Sequence, residues 1–406
     1  MSNSSGKVCL VCGFEGCETI ETDLTDSMST AGDQSILPLA DQSEQIQQAS
    51  RLLAVSKSTL ICGLDSLDLD AQMAAWKLAD QSRAIVDTSL TKHSHAAVQS
   101  LQRKGKVSAT YGEIRRRSDL IVIWDCNLQR QHSCLLRMFT RDQMLNREII
   151  FVGASDAPMA AMADRVFALN TTKDRNAMVR LICRLRAITA GKTIYDDQYG
   201  EHDLPAAEVQ ELFNKLASAS YGSLFYSHGE QDWEFDFETE SLLRLVSELN
   251  SIAPLVSVAV RNDGNGLGAE NILTLTSGFP FGISLQRGHA ESTGSLYTAS
   301  EMLRRAACDL ILLCGNAKLN GGAEIPNWMR AELTRVTVVQ LAPQPDDFAD
   351  VFLACPVVRP KHTFAGNVFR GDGVVLTGSK PDTNRSAEFV LQSLIAACQN
   401  TSISNT

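Results

Sequence analysis

The sequence predicts an α/β protein built from two doubly wound, Rossmann-like units in series, preceded by a small N-terminal segment. Three observations carry this expectation. Short apolar runs alternate with segments that place apolar residues at helical spacing. The runs are continuously apolar rather than alternating, which marks strands of a parallel sheet covered on both faces by helices. The alternation pauses near 191–206, where Gly, Asp and Pro cluster, and then restarts. At 406 residues more than one core is expected. The divisions read from the sequence are 1–48, 49–195 and 196–406.

The first 48 residues are polar apart from Val8–Cys12, and 21–48 reads as loop or short strands across a larger body. Thr59–Gly63 is a short buried strand ending in Gly. A helix follows over Asp68–Ala79, with Asp68 or Asp70 as its N-cap. Ala84–Asp87, Leu120–Trp124 and Glu148–Gly153 are further strands, and His95–Lys104 and Asp174–Ala187 are helices. In the second half, helices are expected over Ala206–Ala219, Glu238–Ile252 and Ser386–Cys398. Strands are expected over Gly222–Tyr226, Leu255–Val260, Leu310–Cys314 and Val336–Leu341. Sheets of this kind bind ligands beyond the carboxyl ends of the strands, where strand order reverses. Those ends carry Asp65 and Ser66, Asp87 and Thr88, Asp125 and Asn127, and Arg261 and Asn262.

The net charge of -10 argues against phosphate backbones and anionic lipid surfaces as partners. No secretory leader and no run long enough to span a bilayer is read, so a cytoplasmic location is expected. Eleven cysteines, several of them inside apolar runs, suit reduced buried thiols.

No convincing catalytic set emerges from the motifs. Cys9-x2-Cys12-x4-Cys17 has the outline of a cluster loop, but a cubane cluster needs four thiolates and the next cysteine, Cys62, lies in a strand. A zinc site would need a nearby histidine, and the first is His93. Asp263–Gly268 spaces its glycines as G-x-G-x-G rather than as a dinucleotide fingerprint, and Thr274–Gly278 after it looks extended. A nucleotide- or carrier-binding α/β module using this loop is one alternative function. Neither H-E-x-x-H nor G-x-S-x-G occurs. The basic runs Arg103-Lys104-Gly105-Lys106 and Arg115-Arg116-Arg117 could meet an acidic partner or an anionic carrier.

Several ordered stretches carry a resemblance. Thr110–Leu120, Trp124–Asn127, Ser277–Phe281 and Gly366–Val374 are the clearest, within the series Val8–Ile20, Cys62–Asp87, Ser108–Phe139, Leu255–Gly288 and Asp309–Gly378. In this order they resemble the B subunit of formylmethanofuran dehydrogenase, and within that family most nearly the B subunit of bacterial formyltransferase/hydrolase complexes. The resemblance implies the molybdopterin oxidoreductase fold, of the type seen in formate dehydrogenase and DMSO reductase. It also implies, for active members, a tungsten- or molybdenum-pterin and an iron–sulfur cluster.

This chain departs from the active pattern. Cys9 and Cys12 match two cluster ligands, but Gly16 stands where the third belongs, with Cys17 one place late. At the position of the metal-binding cysteine or selenocysteine stands Lys92, whose ammonium has no lone pair for a soft metal. The Asn-Pro and His-Pro pairs of the family are Asn127-Leu128 and His132-Ser133 here. The resemblance therefore implies a non-redox scaffold subunit without tungsto- or molybdopterin and without a cluster, with no catalytic residues of its own. Its implied partners are formyltransferase, amidohydrolase-like and small subunits, and a methanofuran-like polyglutamate carrier, with Arg103, Lys104, Arg115 and Arg116 as candidate contacts. The enzymatic alternative is a catalytic tungsten- or molybdenum-pterin subunit.

Overall fold

The computed structural model describes residues 42–90, 95–126, 147–171, 173–174, 176–195, 200, 202–227, 236–261, 264–317, 325–358, 366–378 and 386–404. Helix α1 (Ser43–Val55) comes first and buries Ile46, Ala49 and Leu53, so the expected loop over 21–48 gives way to a helix from Ser43. Strand β1 (Thr59–Cys62) follows. Helix α2 (Leu69–Ser82) begins where Asp68 Oδ1 accepts from Ala71 N at 3.0 Å. It ends at Arg83, in the left-handed region at φ 51°. Strand β2 (Ile85–Val86) and helix α3 (His95–Lys104) come next. Helix α4 (Tyr111–Arg117) is capped by Thr110 Oγ1, which accepts from Glu113 N at 3.2 Å.

Strands β3 (Leu120–Trp124), β4 (Glu148–Gly153) and β5 (Arg165–Ala168) lead to helices α5 (Ala177–Thr189) and α6 (Ala206–Ser218). Strand β6 (Gly222–Ser227), helix α7 (Phe237–Leu249) and strand β7 (Leu255–Val260) complete this run. Helix α8 (Gly266–Ser277) corrects the expectation of an extended 274–278; it ends at Gly278 with φ +85°. Thr274, Thr276 and Ser277 lower helix propensity without forbidding a helix packed against α2. Strand β8 (Ile283–Ser284), helix α9 (Ala299–Arg304), strand β9 (Leu310–Cys314) and helix α10 (Asn327–Leu333) follow. Strands β10 (Thr337–Ala342) and β11 (Val351–Ala354), the antiparallel pair β12 (Asn367–Phe369) and β13 (Val375–Thr377), and helix α11 (Ala387–Ser404) close the chain.

These elements form two compact units that are not consecutive blocks. One takes residues up to 92 together with 262–370 and 375–406; the other takes 93–261 and 371–374. The sequence boundary at 195/196 is thus corrected: β3, β4 and β5 share a sheet with β6 and β7, across that boundary. The pause at 191–206 is a connection between helices, not between units.

In the first unit a sheet runs β11-β10-β9-β1-β2-β8, parallel throughout except that β8 lies antiparallel to β2. Register explains the apolar runs. Leu60 pairs with Ile85 and Ile311, and all three enter the core under α9 and α10. Ile61 pairs with Val86 and Leu312, and these enter the opposite core, with α1, α2, α8 and α11. Both faces are covered, so neither residue set has a solvent side. Each buried Leu or Ile contributes on the order of 1.5–3 kcal/mol. In the second unit β5-β4-β3-β6-β7 are all parallel. Leu120, Val122 and Trp124 join residues of α5, α6 and α7 in one core.

Gly63, just after β1, has φ +82°, and a Cβ there would strike the carbonyl of Cys314. We expect Gly63→Ala to destabilise the first unit by about 3 kcal/mol, through strained backbone and a clash with main chain. A denaturant melt of the purified variant checks this; an unchanged midpoint contradicts it.

Candidate functional site

Each sheet has a point where strand order reverses, and each is described by itself. In the first unit β2 lies to one side of β1 and β9 to the other. Gly315 follows β9 with φ +93°, and a Cβ on it would strike the Ser66 hydroxyl, as one on Gly63 would strike Cys314. The two loops are pressed together. Asp65 is buried between them; its amide donates to Thr88 O at 3.0 Å and its carbonyl accepts from Asn265 N at 2.8 Å. Asp87, 1% exposed, takes Thr88 N at 2.9 Å and Gly282 N at 3.1 Å on one oxygen, and Ala299 N at 2.7 Å on the other. Asp346 accepts from Ala317 N at 2.8 Å and from Gln340 Nε2 at 2.7 Å. These backbone donors at the carboxyl edge are thus bonded to the chain's own carboxylates.

The glycine-rich turn belongs to the same unit; Asn262 and Asp263 lie outside the described residues. Asn265 is fully buried. Its Nδ2 donates to Leu67 O at 2.9 Å and its Oδ1 accepts from Phe369 N at 2.9 Å. Gln72 Nε2 reaches Leu64 O, Leu67 O and Asn265 O at 2.9, 3.0 and 3.1 Å. A Cβ on Gly264 would lie 2.6 Å from Asp65 O, and one on Gly268 would overlap the Asn265 side chain. The glycines let this turn pack onto the loop after β1, where Asn265 and Gln72 bond main-chain groups. A helix does follow the turn, but the arrangement is an internal polar knot.

In the second unit order reverses between β3 and β6. Asp125 sits beyond β3 at φ +42°, a left-handed conformation uncommon outside glycine, Asn and Asp. Its amide donates to Val152 O at 2.8 Å. Burial raises its carboxyl above the ordinary range. Glu238, in the first turn of α7, is pushed up to about 7 by burial and then by the charges of Asp125 and Asp236. Asp236 caps α7, accepting from Thr239 N at 2.9 Å. Burial also raises the Tyr226 hydroxyl. Cys126 donates from its thiol to Phe225 O at 3.5 Å. This edge holds a carboxyl able to exchange a proton near neutrality. Asn127 lies outside the described residues.

The sequence-predicted positions fall out unevenly. Cys9, Cys12, Cys17 and Lys92 lie outside the described residues. Cys62 is core: burial holds its thiol well above the ordinary range, as it does for Cys314, and Cys355 is pushed up to about 12. These three side chains pack inside the sheet cores. Among the described residues no three His, Cys, Asp or Glu side chains gather to hold a metal ion. Arg103 Nε and Lys104 Nζ both meet Glu240, at 2.7 and 3.5 Å, so one internal carboxylate engages both. Arg115 and Arg116 are exposed on α4. Sequence reasoning missed Glu238, Asp236 and Asp346, while it did single out Asp68 as a cap and Asp87 and Asp125 as strand-end residues. Asp236 two residues ahead of Glu238 has the look of a helix start, but burial of the glutamate has no sequence signature.

Glu238 favours its proton in the folded state. The folded chain therefore binds more protons than the unfolded one between about pH 4.5 and 7, and stability falls as pH rises through that window. Glu238→Gln removes this dependence. We expect it to raise Tm at pH 8 by about 2–4 °C, the effect of about 1 kcal/mol in a unit of this size. The gain should vanish near pH 4.5; an equal gain at both pH values contradicts the assignment.

No protein-family model matches the chain. It is 25% identical over 346 residues to the B subunit of the tungsten-containing formylmethanofuran dehydrogenase 2 of Methanocaldococcus jannaschii, covering 82% of this chain and 77% of that one. It is 22% identical over 278 residues to the B subunit of the formyltransferase/hydrolase complex Fhc of Methylorubrum extorquens, covering 67% and 71%. Among solved structures, the formyltransferase/hydrolase complex FhcABCD of Methylorubrum extorquens with methylofuran aligns at TM-score 0.71 and 20% identity, over 92% of this chain and 98% of that one. Acetylene hydratase of Pelobacter acetylenicus aligns at TM-score 0.55 and 12% identity, over 88% and 58%. The α/β fold with parallel sheets is shared with both.

Proposed function

We propose that this chain, a homologue of the B subunits of formylmethanofuran dehydrogenase and of Fhc, is a non-redox scaffold subunit of a formyltransferase/hydrolase complex. It supports transfer of a formyl group to a methanofuran-like carrier and hydrolysis to formate, the chemistry lying on other subunits. Its partners are a formyltransferase, an amidohydrolase-like subunit and a small subunit. The two units take the doubly wound layout of the molybdopterin oxidoreductase fold, and the protein works in the cytoplasm; among the described residues no helix is long and apolar enough to cross a membrane.

The observation that carries this reading is Lys92 at the position where the family resemblance expects a thiolate or selenolate. A protonated amine offers no electron pair to tungsten or molybdenum. The incomplete Cys9, Cys12, Cys17 series points the same way for the cluster. The internal knot of Gln72 and Asn265 weighs against the nucleotide-binding alternative.

Purification of the native protein with metal analysis of the eluate tests the proposal. The expected result is co-elution with a formyltransferase and an amidohydrolase-like subunit, and tungsten, molybdenum and iron far below one per chain. Stoichiometric tungsten or molybdenum with iron would establish the catalytic alternative.

A further inference from the structure

We draw no further inference here: the strongest candidate, the carboxylate cluster of Asp125, Asp236 and Glu238 at the carboxyl edge of the second unit's sheet, is a group of acidic side chains with no second observation among the described residues that points to a ligand.

Discussion

A parallel strand hydrogen-bonded on both sides and covered by helices on both faces favours apolar side chains, and admits a polar one where a partner is at hand, as Gln340 in β10 finds in Gly315 O and Asp346. That constraint governs this protein. Leu60, Ile85 and Ile311 line one side of the first sheet while Ile61, Val86 and Leu312 line the other, because the strands pair in register. Much of the polar chemistry is thereby driven to the strand ends, where Asp65, Asp87 and Asp125 lie.

What happens at those ends differs between the units. In the first, the chain turns its own polar groups inward. Asp87 satisfies three backbone amides, one of them at the start of α9, and Asn265 and Gln72 tie together the loop after β1, the turn before α8 and the strand β12. Each of these hydrogen bonds ties the edge together, since removing one partner leaves the other without its bond in a low dielectric. In the second unit the described edge gathers Asp125, Asp236 and Glu238. Asp125 and Asp236 add to the cost of ionising Glu238, and burial contributes most of it. The same topology thus yields one edge closed by hydrogen bonds and one that titrates.

Homology to the B subunits of the two enzyme systems extends over two thirds or more of the chain, at identities where the overall fold persists while individual ligand positions drift. Function at that distance has to be argued from the donor atoms themselves. Cys62, Cys314 and Cys355 are buried in the sheet cores. The proposed scaffold role rests on the residue at position 92 rather than on the fold, which the chain shares with a hydratase as well as with the transferase/hydrolase complex.

The amino-acid sequence by itself determined the element types. Continuous apolar runs gave β1, β3, β4, β6, β7, β9 and β10 near their observed limits, and apolar spacing with a capping aspartate gave α2. It also places Lys92 and the Cys9, Cys12 and Cys17 series, whose reading as altered ligand positions is what the family resemblance implies. It could not show α8, whose Thr and Ser residues disfavour a helix until packing against α2 compensates. Nor could it show that β3 joins β6 across the pause at 191–206, since strand pairing depends on loop closure over long separations. The burial of Glu238 and the pairing of Arg103 and Lys104 with Glu240 were decided only by tertiary structure, because solvation and charge partners exist only once distant segments meet.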